Sequence, residues 1–241
     1  MRFRATPRDT AQDLERLRPL HAGEGERFTG YGAMALPFEG GDLLAFRRFV
    51  ASSIGPPYSA VWHRASDGRW TFYVDVEPGR SCPRYFGAQV ERVVVTEIEV
   101  SWSAAAELGV SVPAARLDLS LRLGASPATR LFNTVLRPFP ERAWASRRVL
   151  EAMGALAGPA LGAGVVRLTG VTPNGQIFQV APRQLWRIVA GIAVVRGHEL
   201  GPIGPLPGQG RLGDFLLPNA GLFAFGSSYF EFRDPGGARP A

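Results

Sequence analysis

Few residues in this chain could do chemistry, and the first is a histidine set in an aromatic hairpin. His63 lies in the strand-like run Tyr58–Arg64, which Ala65-Ser66-Asp67-Gly68 joins to a second run, Arg69–Glu77. Asp-Gly between two such runs is a strong hairpin signal. A loop of two or four residues places His63 with Val61, Trp70, Phe72 and Val74, and places Trp62, Tyr58, Thr71, Tyr73 and Asp75 opposite. A loop one residue longer or shorter reverses both sets. His63 then reads either as a hydrogen-bonded core residue or as the titratable group of an apolar cavity. Desolvation in such a cavity would keep it neutral and fit to act as a general base. Asp75 with Tyr73 is the second catalytic candidate, if the other face lines a polar lumen.

The candidate ligand contacts are Trp62, Trp70, Phe72, Tyr85, Arg183 and Trp186. The tryptophans are core residues that in a barrel would also line a cavity. Arg183 follows Pro182 at a strand end, where a guanidinium can hold a carboxylate or carbonyl of a ligand. It can equally shield apolar surface.

Other chemistries are excluded or unsupported. All 27 basic residues are arginine, so no Schiff-base lysine, P-loop lysine or pyridoxal attachment is possible. The single cysteine, Cys82, allows neither an internal disulfide nor a multi-cysteine metal site. His21, His63 and His198 lack the spacing that puts two ligands on one element, so no metal is expected. Gly208-Gln209-Gly210-Arg211-Leu212-Gly213 matches the dinucleotide fingerprint, but a Pro-rich loop precedes it and Pro218 follows where a helix is required. No cofactor is expected. A G-x-S-x-G elbow is also absent.

The formal charge of +6 is spread over scattered arginines, with only Arg47-Arg48 and Arg147-Arg148 adjacent. A phosphate-tracking face needs clustered charge, so nucleic acid is not an expected partner. No apolar stretch reaches the roughly 18–20 residues of a membrane span. Met1-Arg2-Phe3-Arg4 leads into polar sequence without the apolar core of a signal peptide. A cytoplasmic protein is expected, with a homodimer left open.

The elements that must position these residues are mostly strands. In Val93–Trp102, the residues Val94, Thr96, Ile98, Val100 and Trp102 alternate with Glu97 and Glu99. In Arg116–Leu123, four leucines alternate with Arg116, Asp118, Ser120 and Arg122, and Glu97 and Glu99 are expected to face these charges on a neighbouring strand. Residues 1–28 are polar, with a helical candidate at Thr10–Arg18. A Gly/Pro-rich segment, Gly30–Gly41, precedes the apolar run Leu43–Ile54. Pro140–Leu156 reads as the one good helix, packed near residues 140–157 and ended by Gly158-Pro159. A hairpin through Pro173-Asn174-Gly175, the run Trp186–Val195 and a last strand, Leu222–Phe232, follow. Between the last two, Gly201–Gly221 reads as a lid or mouth loop. The tail 234–241 is expected to be disordered. The fold expected is a single domain over residues 1–241: a mostly β, antiparallel barrel or strongly curved sheet, lipocalin-like, with one packed helix.

The Gly-rich entry, the hairpin Ala60-Val61-Trp62-His63 … Asp67-Gly68-Arg69-Trp70, the alternating strands and the Pro/Gly loop together resemble the lipocalin-like carotenoid hydratases and their relatives. That resemblance covers about half the chain and implies a group that includes cofactor-free cyclases of natural-product pathways. It transfers no catalytic residue. Acetoacetate decarboxylase-like barrels are similar in length, but without lysine their Schiff-base chemistry cannot occur here. The function expected is binding of an apolar small molecule in a barrel cavity. It would serve a cofactor-independent cyclase, isomerase or hydratase of a polyketide or isoprenoid substrate, or else a non-catalytic carrier or sensor of a lipophilic ligand.

Overall fold

The computed structural model describes residues 6–136 and 138–232. Helix α1 (Pro7–Leu17) precedes β1 (Glu26–Pro37), β2 (Leu43–Ser52), β3 (Tyr58–Arg64), β4 (Trp70–Val74), α2 (Pro83–Phe86), β5 (Arg92–Val95), β6 (Glu99–Ala104), β7 (Glu107–Val112) and β8 (Leu117–Gly124). Then come α3 (Pro127–Leu136), α4 (Glu141–Trp144), α5 (Arg147–Ala160), β9 (Thr169–Val171), β10 (Gln176–Val195), β11 (His198–Glu199), β12 (Arg211–Leu212), β13 (Phe215–Leu216) and β14 (Leu222–Phe232). The main sheet runs β5-β4-β3-β2-β1-β14-β10-β8-β7-β6. Its pairings are antiparallel except β4 with β5.

Chain connectivity fixes the shape of this sheet. Its two edge strands, β5 and β6, are joined by residues 96–98 alone. Four Cα steps reach at most about 14 Å, so the adjoining ends of the two edges lie close together and the sheet is curled into a half-barrel. The rolled interior is filled by side chains from both halves of the sheet, including Tyr31, Phe46, Val61, Leu119, Phe223 and Phe225. The Trp102 ring on edge strand β6 sits 6.4 Å from Tyr31 on central strand β1. Helix α1 adds Ala11 and Leu14 to this interior. Thr6 caps it, its side chain accepting from the Asp9 amide at 3.2 Å, with Pro7 pre-set for the first turn.

The outer face carries two further apolar clusters. One joins Phe28, Tyr58, Trp62, Phe72 and Phe178 to Phe86 and to Leu206, Leu212 and Leu217 of the 201–221 segment. The other joins Ala181, Leu185 and Ala224 to Leu136, Trp144, Leu150 and Ala157 of the helices. The segment expected as a lid is thus a packed cover. Asn219 exchanges two 2.9 Å hydrogen bonds with the Leu206 backbone, and Gln209 donates to the Val165 and Leu217 carbonyls. The glycine-rich match within it spans the short strand β12 and is followed by β13, with no helix.

The mostly β, strongly curved sheet matches the expectation, and β3, β8 and β14 fall close to where alternation places them. Four details are corrected. Val93–Trp102 is two strands on opposite edges of the sheet, yet Val94, Ile98, Val100 and Trp102 all face the interior. Period two passes uninterrupted through the seam because both edges present their inner faces there. Glu97 and Glu99 do not meet the charges of β8, because β7 lies between β6 and β8 and pairs Glu99 with Ser111. The Gly/Pro-rich entry lies largely within a twelve-residue strand, β1.

The single helix at 140–156 is instead α4 and α5, preceded by an additional helix, α3. Ser126 and Thr129 cap α3 reciprocally, each accepting from the other's amide at 2.8–3.1 Å. Gly158 does not end α5: a Cβ there would overlap the Gly164 carbonyl, so glycine is needed for close approach to the following segment. Pro159 falls in the last turn, where its missing N–H removes one i→i−4 bond only at the end of the ladder. The tail 234–241 lies outside the described residues. No described helix is long and apolar enough to cross a membrane.

Candidate functional site

The β3–β4 hairpin pairs Arg64 with Trp70 and His63 with Thr71, leaving an odd-numbered loop. Gly68 at φ 90° and its amide bond to the Ala65 carbonyl close a bulged turn, stabilised by Asp67 accepting from the Arg69 amide. The extra residue exchanges the β4 residues between the two expected faces, while His63 keeps Val61 and Trp62 stays opposite. His63 stands with Val61, Thr71 and Tyr73 on the inner face, whereas Trp62 stands with Trp70, Phe72 and Val74 on the outer one. His63 Nε2 lies 2.7 Å from Asp42 Oδ1, in a part-buried pair. Tyr73 is buried against the interior cluster. Asp75 accepts from the Ser59 amide at 2.7 Å, and its burial raises the carboxyl above the usual carboxylate value. Nearby, the end of the rolled interior opens into a wide cleft lined by Gln12, Glu15, Tyr31, Arg48, Ser59 and Trp102. There Glu15 accepts from Arg48 at 2.8 Å and from the Tyr31 hydroxyl at 3.1 Å. Burial and this carboxylate together push the Tyr31 phenol up.

The more apolar space is on the outer face. A cavity of about 140 Å³ lies between the sheet on one side and α3, α5 and the 201–221 segment on the other. Trp62, Tyr85, Phe86, Phe132, Leu161 and Phe215 are among its walls. Of the expected ligand contacts, Trp62 and Tyr85 line it. Trp70, Phe72, Arg183 and Trp186 do not. Phe72 stacks behind Trp62 with ring centroids 4.6 Å apart, and Trp70 meets Phe72 edge-on. Arg183 covers the Trp144 ring at 4.8 Å and donates to the Phe139 carbonyl, and Trp186 packs against the interior cluster. None of His63, Tyr73 and Asp75 lines this cavity.

Arg47, Tyr58 and Cys82 supply polar atoms to the cavity. Arg47 is buried at a gap in the sheet. The β1–β2 ladder runs from Phe28 to Tyr31, breaks, and resumes at Leu36. In that gap the Arg47 guanidinium donates to the carbonyls of Ala33 and Met34 on β1 and of Phe46 on β2. It also lies 5.0 Å over the Trp62 ring. Burial lowers its pKa to about 10, so it remains a cation at neutral pH. The Tyr58 hydroxyl lies 3.3 Å from the Cys82 sulfur. Burial raises both groups, and they stay protonated. In the sequence Arg47 stands out only as half of the Arg47-Arg48 pair. Its burial has one signal, alternation: in Leu43, Ala45, Arg47, Phe49, a charge takes an apolar position.

At the cavity edge, Tyr85 connects to a charged cluster. Its hydroxyl donates to Glu26 at 2.5 Å, and Glu26 also accepts from Arg84 at 2.6 Å and from Gln176 at 3.3 Å. Burial alone would raise the Glu26 carboxyl, but these three donors bring it below its ordinary value. Burial and the bond to Glu26 hold the Tyr85 phenol well above its usual range. A lowered folded-state pKa adds stability above the unfolded value, about 4.3, and that stability is lost as pH falls through the folded value. Glu26→Gln is therefore expected to cost roughly 2 kcal/mol at pH 7, the scale of hydrogen bonds to a charged group. The gap from wild type should close towards pH 3. Urea unfolding at both pH values checks this, and an unchanged gap would mean that the charged form is not what the cluster stabilises.

The fold and site together define a rolled β-sheet protein with a small apolar cavity on its outer face, into which one buried cation is set. No family model matches the chain. No curated protein matches it either, so neither comparison supports the resemblance to carotenoid hydratases. Among solved structures, the chain is similar to the acetoacetate decarboxylase of Legionella pneumophila subsp. pneumophila, with 9% sequence identity, 96% of each chain covered and a TM-score of 0.41.

Proposed function

We propose that this protein binds a small lipophilic molecule in the cavity on the outer face of its sheet. The observation that carries this reading is an apolar, aromatic-walled space of about 140 Å³. A comparable engineered apolar cavity, of about 150 Å³, accepts benzene. The space as it stands fits a single ring or short chain. The polyketide or isoprenoid expectation narrows accordingly to a small member of either class or to one end of a longer molecule.

The cavity favours a carrier or sensor over a cyclase, isomerase or hydratase. Among the described residues that line it there is no histidine, aspartate or glutamate to take a proton, and its phenols and thiol hold theirs. One observation favours the enzyme as a second reading: a cation beside a protonated tyrosine can stabilise developing negative charge and donate a proton without any cofactor.

Native mass spectrometry of protein purified from its own host tests the binding reading. A retained lipophilic compound is expected. Ala157, on α5, lines the cavity and is largely buried. Ala157→Leu should fill the space, lowering affinity for a ring-sized ligand at least about a hundredfold. Stability should be unchanged or slightly raised, because the new atoms enter an existing void. If wild type neither retains nor binds such compounds, the binding reading fails.

A further inference from the structure

We infer that the ligand carries a carboxylate, held side-on by Arg47 at the floor of the cavity. This inference rests on the binding reading above and adds the chemical class of the ligand.

A guanidinium has five N–H donors. In Arg47 both hydrogens on Nη1 are taken, by the Ala33 and Phe46 carbonyls, and one hydrogen on Nη2 is taken by the Met34 carbonyl. The two that remain are on Nε and Nη2, the nitrogens of the guanidinium's side edge. They form the fork that grips both oxygens of a carboxylate. The backbone bonds hold the fork in place, so little ordering is lost when a ligand docks.

Charge points the same way. The three carbonyls satisfy hydrogen bonds without neutralising a cation, and no carboxylate among the described residues pairs with Arg47. Burying an unpaired charge is costly, and an anionic ligand offsets that cost where a neutral one does not. The other arginine of the lining, Arg167, already pairs with Asp214 at 3.1 Å. Beside Arg47, the Tyr58 hydroxyl has among the described residues the Cys82 sulfur as its partner, a weak one, and so is available to a ligand oxygen. Walls of aromatic and aliphatic side chains complete the pattern. The ligand class is a small monocarboxylate with a ring or short branched chain, matched to about 140 Å³.

The test uses benzoate and toluene as probes, titrated calorimetrically at pH 7 into wild type, Arg47→Met and Arg47→Lys. In wild type, benzoate should bind more tightly than toluene. Arg47→Met should lose about thirtyfold or more in benzoate affinity, the scale of a charged bidentate contact, while keeping toluene within about threefold. Arg47→Lys retains the charge but not the fork, and should fall between. If Arg47→Met does not fold, wild type still decides, because benzoate should bind and its methyl ester should not gain on it. Toluene binding with benzoate excluded, or benzoate affinity undiminished in Arg47→Met, would overturn the carboxylate assignment and leave the cavity reading standing. Failure of both probes to bind wild type would remove the cavity reading, and the assignment with it.

Discussion

Gly30→Val is expected to yield no stably folded protein, with a loss of at least about 4 kcal/mol, the range reached only by backbone or core disruption. Gly30 lies on β1 where the pairing with β2 shifts by one residue. A Cβ there would overlap the Arg48 carbonyl oxygen and stand 2.9 Å from the Phe49 Cα. Both are backbone atoms of a strand buried in the middle of the sheet, so no rotamer change relieves the clash. On its other side Gly30 pairs with Gly226, whose own Cβ would meet the Ala181 carbonyl. The β2, β1, β14 and β10 backbones are drawn together across this pair of glycines, which also border the cavity. Soluble yield and near-ultraviolet circular dichroism provide the readout. Gly208→Ala, where a Cβ meets nothing within 4 Å, is the control expected to stay within about 0.5 kcal/mol. Normal folding of Gly30→Val would show that β1 and β2 are further apart than described.

The second large effect is expected at Trp62. Trp62→Ala should cost about 3–5 kcal/mol, as for other large aromatic truncations in cores. The ring is fully buried. It stacks on Phe72 with 9° between planes, touches Phe86 and Phe215, and carries the Arg47 guanidinium on its face. It is thus a wall of the cavity, the anchor of the α2 and 201–221 cover, and the support of the buried cation. Trp62→Phe, which keeps a stacking face, should lose appreciably less. A urea midpoint that falls with an unchanged slope would assign the loss to stability alone. A Trp62→Ala cost below about 1 kcal/mol would mean that the cover packs independently of this ring.

What could be read from the sequence follows from how local each cause is. The alternation of β8, buried and exposed by turns from Leu117 to Leu123, depends only on which face meets the interior, so it survives as a pattern in the chain. The seam at residues 96–98 could not be seen, because the inward set continues through it while the hydrogen-bonding partner changes from β4 to β7. Alternation reports the face, not the neighbour. In the β3–β4 hairpin a single residue of loop length moved every β4 side chain to the other face relative to β3, so the aromatic face of β4 joins Trp62 and not His63. Arg47 escaped because its partners are carbonyls freed by a distant irregularity in β1. The short sequence Ser126-Pro127-Ala128-Thr129, by contrast, did contain the signal for α3 in its reciprocal cap.

The sheet order also says when this protein can fold. Strands β1 to β5 make one half and β6, β7, β8, β10 and β14 the other, and the halves meet where β1 pairs with β14. Each half is largely built from neighbours in sequence, whereas the joint between them brings Gly30 against Gly226. Pairings of such long range form slowly, since the closure entropy must be met before they contribute. During synthesis the first half waits with its β1 edge open until β14 has left the ribosome. In that interval an unpaired central strand lies open to any other strand, including one from another nascent copy.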